Sequence, residues 1–267
     1  MGTRNDGIMF EQNEFGGRLR YVGRASTPEF WDEMWASHRT GSSYARAITG
    51  YLPQYLGRTL LKWVPSGSRI LEAGCGPARF TVGAHARGYR AEGIDFAQQV
   101  VERLTRTFPE IPFMVGDVTD LEAVPDGSYD AVYSPGVCEH FEDGPEIVLQ
   151  ETFRILRPAG IAIVHTPYLN SFRKFLVHAG AFRRKRPGSF FQYAFSRKEL
   201  AARLERVGFQ VMEVVPFDTF TTLSDHIPGF ARLCVGPIES LLESMLNRLP
   251  GFKGWGHCAI WVARKPE

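Results

Sequence analysis

The stretch Arg69-Ile70-Leu71-Glu72-Ala73-Gly74-Cys75-Gly76-Pro77-Ala78-Arg79-Phe80 constrains the fold of this chain more than any other. Ile70 and Leu71 form a short apolar run that suits a buried strand. Two glycines follow, and then a segment patterned as a helix. Strand, glycine turn and helix make the nucleotide-binding corner of a doubly wound sheet. Gly74 and Gly76 let the backbone turn tightly and approach a ligand where a Cβ would intrude. A bare G-x-G also follows many strands for packing reasons, so its neighbours have to sharpen it. Glu72 closes the strand two residues before the first glycine. The dinucleotide pattern needs a third glycine at position 79, where this chain has Arg79. An acid beside the turn also repels a pyrophosphate. The corner therefore suits a ligand that carries cationic groups and no phosphate.

The segments around the corner extend the pattern. Arg79 to Arg87 reads as a helix closed by Gly88. Arg90 to Asp95 reads as the second strand, ending in an acid 21 residues after Gly74. At that spacing a carboxylate meets a ribose diol in nucleotide-binding units, where two hydroxyl donors need two acceptor oxygens. Phe96 follows and is placed to lie against a base. Gln98 to Thr107 reads as a helix with Val100, Val101 and Leu104 inward. Pro112 to Val115 is the third strand, followed by Gly116-Asp117-Val118. Asp117 can accept an exocyclic amine and the Val118 N–H can meet a ring nitrogen; otherwise Asp117 is a turn residue. Asp130 to Ser134 is the fourth strand. A helix starts at Gly144-Pro145 and closes at Pro158-Ala159-Gly160, and Ile161 to Thr166 is the fifth strand. Ser196-Arg197-Lys198-Glu199 is a capping box for a helix ending at Gly208. Phe209 to Val215 and His257 to Ala263 are the last two strands. This alternation implies an α/β fold with a mainly parallel sheet covered on both faces.

These residues resemble a family. Glu72-Ala73-Gly74-Cys75-Gly76, then Asp95, then Gly116-Asp117-Val118, then Ser134 to Phe141 are similar to the class I S-adenosylmethionine-dependent methyltransferases. The nearest branch acts on small molecules and resembles the ubiquinone-biosynthesis type, on the pair Glu139-His140. The motifs cover roughly residues 68 to 166. The resemblance implies a doubly wound seven-stranded Rossmann-like sheet that binds S-adenosyl-L-methionine. It also implies the cofactor contacts. Gly74, Cys75 and Gly76 hold the methionine part through backbone groups, and Glu72 stands near its amino group. Asp95 takes the ribose, Phe96 and Val118 flank adenine, and Asp117 binds its amine. Ser134 and Pro135 pass beside the sulfonium. Ala78 stands where many relatives have a third glycine, and a minor change in backbone freedom is expected there. Methyl transfer is an in-line displacement, so positioning and desolvation dominate.

The acceptor is less legible. Ser134-Pro135-Gly136-Val137 does not match the motif of exocyclic-amine methylation, and Cys138 reads as packing. His140 is the candidate base, because an imidazole titrates near neutrality; alternatively it only walls the cofactor pocket. His165 and Tyr168 are further candidates, with His165 equally a core histidine. Residues 171–206 hold ten Lys or Arg and two Glu, a net +8 against +2 for the whole chain. Phe172, Phe175, Leu176, Ala179 and Phe182 fall on one helical face beside Arg173, Lys174 and His178. Arg183-Arg184-Lys185-Arg186 follow. This segment is a solvated lid, a site for an anionic small-molecule or lipid-linked acceptor, or a peripheral membrane contact through 172–191. Nucleic acid is disfavoured, since no dedicated RNA-binding appendage is recognisable.

The expected organisation is an N-terminal arm and cap helices over 1–64, then a core over 65–267. That core carries an insertion at 168–195 and a C-terminal helix at about 237–249 over the acceptor side. Residues 1–26 read as a loose arm. Thr27-Pro28-Glu29 starts a helix whose Trp31 and Trp35 share a face; packing against the core is favoured over lying above a cleft. A second helix runs from Pro53 towards Trp63. Ile238, Leu241, Leu242, Met245, Leu246 and Leu249 form an apolar stripe after Pro237, read as core, with a dimer face or acceptor wall as the alternative. The 267 residues suffice for a proper core. Cys75, Cys138, Cys234 and Cys258 show neither a metal spacing nor a disulfide framework, so no metal is expected. The polar N-terminus and the absence of a long apolar run point to a cytoplasmic protein, with the inner membrane face as a peripheral alternative. The expected function is methyl transfer to oxygen or nitrogen of a small-molecule or lipid- or phosphate-linked acceptor. The alternatives are a non-catalytic cofactor-binding subunit and an RNA methyltransferase.

Overall fold

The computed structural model describes residues 7–36, 44–182, 188–227 and 254–267, with residues 230, 245–246 and 249. In chain order the elements begin with β1 (Gly7–Glu11), β2 (Arg18–Gly23), α1 (Pro28–Ala36) and α2 (Gln54–Trp63). Then come β3 (Arg69–Ala73), α3 (Arg79–His85), β4 (Arg90–Asp95), α4 (Gln98–Thr107), β5 (Phe113–Val115) and β6 (Tyr129–Pro135). The second half holds α5 (Glu146–Ile155), β7 (Leu156–Pro167), α6 (Ser171–His178), β8 (Ser189–Phe195) and α7 (Arg197–Val207). It closes with β9 (Gln210–Phe217), α8 (Thr219–His226) and β10 (Cys258–Arg264).

The main sheet has the order β5-β4-β3-β6-β7-β10-β9. All pairs from β5 to β7 are parallel, and β10 runs antiparallel to both β7 and β9. From β3 the chain builds outward through β4 to β5, then returns to lay β6 on the other side. That reversal opens a crevice beyond the carboxyl ends of β3, β4 and β6. Successive side chains of a strand face opposite sides, and the sheet separates two apolar layers accordingly. Leu71, Val132, Ala162 and Trp261 pack with Leu149, Ile155, Leu200 and Leu204 of α5 and α7. Ile70, Ala131, Ile163 and Ile260 pack with Leu56, Leu60, Phe80 and Ala84 of α2 and α3.

Several expectations change. Residues 7–23 are not a loose arm: β1 and β2 form a hairpin, and β2 pairs with β8 to give a second, three-stranded sheet. Asn13 closes that hairpin, its Oδ1 accepting the N–H groups of Phe15 and Gly17. The fifth strand begins at Leu156 rather than Ile161, with Ala159 at φ +60° where it passes Pro158. The first turn of α7 is capped by Ser196 Oγ, which accepts the Glu199 N–H. The Glu199 carboxylate does not reach back to complete the box. It is fully buried and accepts from Asn13 Nδ2 at 2.7 Å and from the Arg203 guanidinium, tying the hairpin to α7. The α6 helix also departs from its predicted face. Phe175 is 65% exposed, whereas Arg173 is 1% exposed and donates to the Tyr168 carbonyl and to His257 Nδ1. The tetrabasic run 183–186 and most of the proposed helix at 237–249 lie outside the described residues.

Candidate functional site

Two cavities meet at the glycine corner. The first, of about 360 Å³, is lined by Trp31, Trp35, Gly74, Gly76, Asp95, Phe96, Asp117, Val118, Pro135, Gly136, Val137, Glu139, His140, Phe141 and Gln192 among others. The second, of about 440 Å³, shares Trp35, Gly74, Gly76 and Pro135 with the first, and adds Arg46, Tyr51, Tyr55, Glu72, Cys75, Arg79 and Tyr133. The loop after β3 turns by positive φ at Gly74 (+75°) and Gly76 (+46°). A methyl group on Gly74 would sit 2.3 Å from Val137 Cγ2, and one on Gly76 would meet the Trp35 ring at 3.1 Å. Bare backbone is therefore required on the floor of both cavities. Ala78 also lies in the left-handed region, at φ +52°. That is a larger departure than the expected minor change, because a Cβ there carries a steric cost that glycine avoids.

Asp95 is 5% exposed and braces the corner: Oδ2 accepts the Gly76 N–H at 2.7 Å and Oδ1 accepts the Ala97 N–H at 2.9 Å. Burial raises its pKa, and the backbone donors oppose that shift. Each oxygen keeps acceptor capacity beyond its one bond. Glu72 turns the other way. Its Oε2 accepts the Thr81 N–H at 2.9 Å in the first turn of α3, and burial pushes its carboxyl up to about 8. Asp117 is exposed at the rim, with Oδ1 accepting from the N–H and Oγ1 of Thr119. It is thus a turn residue and a cavity-lining acid together.

The opposite wall comes from α1 and from the turn after β6. Trp31 and Trp35 stack with centroids 5.5 Å apart, and both line the cavity. Both readings of the pair hold: the rings pack against the buried cluster of Ala97, Val100, Val101 and Leu104, and they also cover the crevice, because α1 packs beside α4 at the mouth of the glycine corner. His140, in a 3-10 turn spanning Cys138–His140 after β6, is held edge-on by Trp31 at 5.3 Å and Phe191 at 5.1 Å. Its Nδ1 lies 2.8 Å from the Phe191 carbonyl. A carbonyl only accepts, so Nδ1 carries the proton and Nε2 the lone pair. Burial lowers the imidazole pKa to about 4, keeping it neutral at ordinary pH. Beside it Glu139 is 3% exposed, its carboxyl pushed up to about 8 by burial.

The remaining sequence-selected residues sit elsewhere. Ser134 is 1% exposed behind Pro135, on neither cavity wall. His165 takes a 3.3 Å contact from the Tyr133 hydroxyl and packs edge-on to Phe217, as a core histidine does. Tyr168 packs edge-on against Trp261, 5.9 Å between ring centroids, away from both cavities. Arg46, Arg79 and Gln192 were not assigned to the site from the sequence, and the cover role of Trp35 stood there only as the less favoured alternative. Only Arg79 carried a signal, as the charged side chain in place of the third glycine.

The charge of the first cavity decides its ligand class. Asp95 and Asp117 line it beside the buried Glu139 carboxyl, and among the described residues no Lys or Arg does. A phosphate-bearing dinucleotide finds no Lys or Arg among these described residues, whereas a cationic nucleoside finds acceptors. The methyltransferase domain family matches residues 44–214 of this chain, well over half of it. The chain belongs to the S-adenosylmethionine-dependent methyltransferases. A Mycolicibacterium smegmatis protein named a probable S-adenosylmethionine-dependent methyltransferase is 29% identical over 191 residues, covering 71% of this chain and 68% of that protein. The ubiquinone biosynthesis O-methyltransferase of Xanthomonas axonopodis pv. citri is 31% identical over 160 residues, covering 56% and 66%. The chain thus spans about two thirds of the length of these relatives. In fold it is similar to the 1,6-didemethyltoxoflavin-N1-methyltransferase of Burkholderia thailandensis, solved with S-adenosylhomocysteine. That likeness has a TM-score of 0.56 at 15% identity and covers 98% of this chain and all of the other. The methyltransferase is therefore an α/β enzyme of the doubly wound type, and its cofactor is S-adenosylmethionine. No helix among its described residues is long and apolar enough to cross a membrane.

Proposed function

We propose that this methyltransferase transfers its methyl group to a hydroxyl oxygen of a small acceptor, with His140 as the general base. When bound, S-adenosylmethionine supplies an electrophilic methyl group on a sulfonium. Asp95 is the residue for its ribose hydroxyls, and Asp117 and Val118 those for its adenine, against Phe96. Bare backbone at Gly74 and Gly76 admits its chain. Glu72 in the adjoining cavity is an acceptor for the ammonium of its amino-acid end, whose positive charge would favour the ionised carboxylate over the protonated form that burial favours. Arg46 and Arg79 suit the carboxylate of that end. Cys75 and Pro135 border that passage.

The observation that carries the oxygen assignment is the Nδ1 contact of His140 with the Phe191 carbonyl at 2.8 Å. It fixes one tautomer, so Nε2 is an acceptor on a residue that lines the cavity. A hydroxyl approaching Nε2 would give up its proton there as its oxygen takes the methyl carbon, while the carbon–sulfur bond breaks and its electron pair stays on sulfur to leave S-adenosylhomocysteine. The rings of Trp31, Trp35 and Phe141 exclude water and favour an apolar or aromatic acceptor. The net +8 of residues 171–206 supports an anionic or lipid-linked one.

Release of S-adenosylhomocysteine with a panel of phenols, aliphatic alcohols and amines tests this reading. A hydroxyl acceptor should turn over, and His140→Gln should lower its turnover by about 10² to 10⁴. Affinity for S-adenosylhomocysteine should stay within about threefold. Full turnover by His140→Gln, or turnover of amines alone, contradicts it.

A further inference from the structure

A third cavity lies apart from the glycine corner, between the β1–β2 hairpin and α6. Its volume is about 1010 Å³, at the upper end of small-molecule sites. None of its lining residues touches either of the first two cavities. Its apolar lining comes from Met9 and Phe10 on the hairpin, Leu169 after β7, and Val177 and Phe182 on and after α6. Leu169 is 1% exposed and joins Leu19, Tyr21 and Ala194 in the small core beneath.

The polar groups of this cleft are unequally engaged. Glu11 is already neutralised, with Arg18 at 3.2 Å and Arg20 at 3.6 Å. Lys174 on the opposite wall is exposed and makes no ion pair among the described residues. His178, one turn on, donates its Nδ1–H to the Lys174 carbonyl at 2.7 Å, which leaves Nε2 free for a second partner. Among the described residues, the cleft therefore offers apolar walls and Lys174 as a cation with no ion pair, and the acid on its wall, Glu11, is spoken for. Five apolar side chains around a space that size hold more hydrocarbon than a lone head group could fill.

We propose that the cleft between the hairpin and α6 binds an anionic amphiphile, its apolar chain against Phe10, Leu169 and Val177 and its acidic head at Lys174. The site is separate from the cofactor crevice and does not depend on which acceptor is methylated. A small anion lacks the chain to fill it. A cationic amphiphile meets Lys174 with like charge.

Calorimetric titration of the full chain with dodecanoate, below its micelle concentration, tests this. Dodecanoate should bind saturably, one per chain. Acetate and dodecyltrimethylammonium should each bind at least about tenfold more weakly. Val177→Asp should weaken dodecanoate about tenfold or more by setting a carboxylate into the apolar wall. Lys174→Glu, at an exposed position, should weaken it about fivefold even if Val177→Asp fails to fold. S-adenosylhomocysteine should bind both folded variants as it binds the wild type. The proposal is overturned if dodecanoate binding is non-saturable, if acetate or the cationic amphiphile binds equally well, or if Lys174→Glu changes nothing. Competition between dodecanoate and S-adenosylhomocysteine would place the amphiphile in the cofactor crevice and also overturn it. Concentration-dependent self-association without saturable dodecanoate binding would assign the cleft to a second copy. Should S-adenosylhomocysteine fail to bind the wild type while dodecanoate binds, the cofactor reading fails and this one stands.

Discussion

Replacing Gly74 by alanine tests whether the corner must be bare, and the structure supplies the size of the effect. The new Cβ would lie 2.3 Å from Val137 Cγ2, far inside contact distance. The backbone there is at φ +75°, where a side chain costs about 1–2 kcal/mol. Overpacking against Val137 adds about 1–3 kcal/mol. Gly74→Ala should therefore lose roughly 2–5 kcal/mol of unfolding free energy in urea titrations. Its affinity for S-adenosylhomocysteine should fall as well, because Gly74 and Val137 both line the cavity. Val137→Ala on the same background removes Cγ2 and should return the steric share, a coupling of about 1–3 kcal/mol. It should not return full affinity, since the alanine methyl still occupies the floor. Equal stability of Gly74→Ala and wild type would refute the reasoning. So would a double variant no more stable than the single one.

Ala78→Gly should leave the protein as stable or more stable by up to about 1 kcal/mol, because φ +52° favours glycine while the lost methyl and greater chain entropy offset part of the gain; a loss above that in urea unfolding contradicts it. Glu72 and Glu139, held protonated up to about 8, release protons on unfolding, so their stabilising contribution is complete below the ordinary carboxylate range and is lost as pH rises through about 8. His140, His165 and His257, pushed down to about 4, 4 and 3, act oppositely, destabilising only as pH falls below about 6.5. Between about pH 6.5 and 8 the acids alone operate, each removing up to about 2 kcal/mol, and Glu139→Gln should flatten the urea-measured slope by its share. Glu199→Ala should cost about 1–3 kcal/mol by removing the acceptor of Asn13 Nδ2 and the fully buried one of the two carboxylates paired with Arg203, Glu146 remaining, read from the same titration; a change under about 0.5 kcal/mol would mean the hairpin is not tied to α7 through this group.

The parts of the fold legible in the sequence are those whose signals are local. The strands ending in Glu72-Ala73, Asp95 and Ser134-Pro135 follow from apolar runs closed by glycine or acid. The helices over 54–63, 98–107 and 197–207 follow from period and caps, so the crevice and its acids could be placed by residue number. What was missed depends on distant partners. The strand Arg18–Gly23 pairs with Ser189–Phe195, about 170 positions away, and only its Arg-Leu-Arg-Tyr alternation hinted at a strand. Arg173 lies inward because its acceptors, the Tyr168 carbonyl and His257, converge there, and spacing on a helix cannot report that. Trp31 and Trp35 were known to share a face, but what that face covers is set by the packing of α1 beside α4. Arg46 enters the site from a segment with no motif. The left-handed Ala78 could have been foreseen: it stands where relatives of this family carry glycine.

The central claim is that the crevice at the glycine corner, with Asp95 and Asp117 on its nucleoside side and Arg46 and Arg79 on the adjoining side, holds S-adenosylmethionine. Calorimetry with S-adenosylhomocysteine and NADH on wild type and Asp95→Ala tests it most directly. S-adenosylhomocysteine should bind the wild type one to one, Asp95→Ala should weaken it by about 2 kcal/mol, and NADH should give no measurable heat. An absent S-adenosylhomocysteine signal, or NADH binding as tightly, would contradict the account.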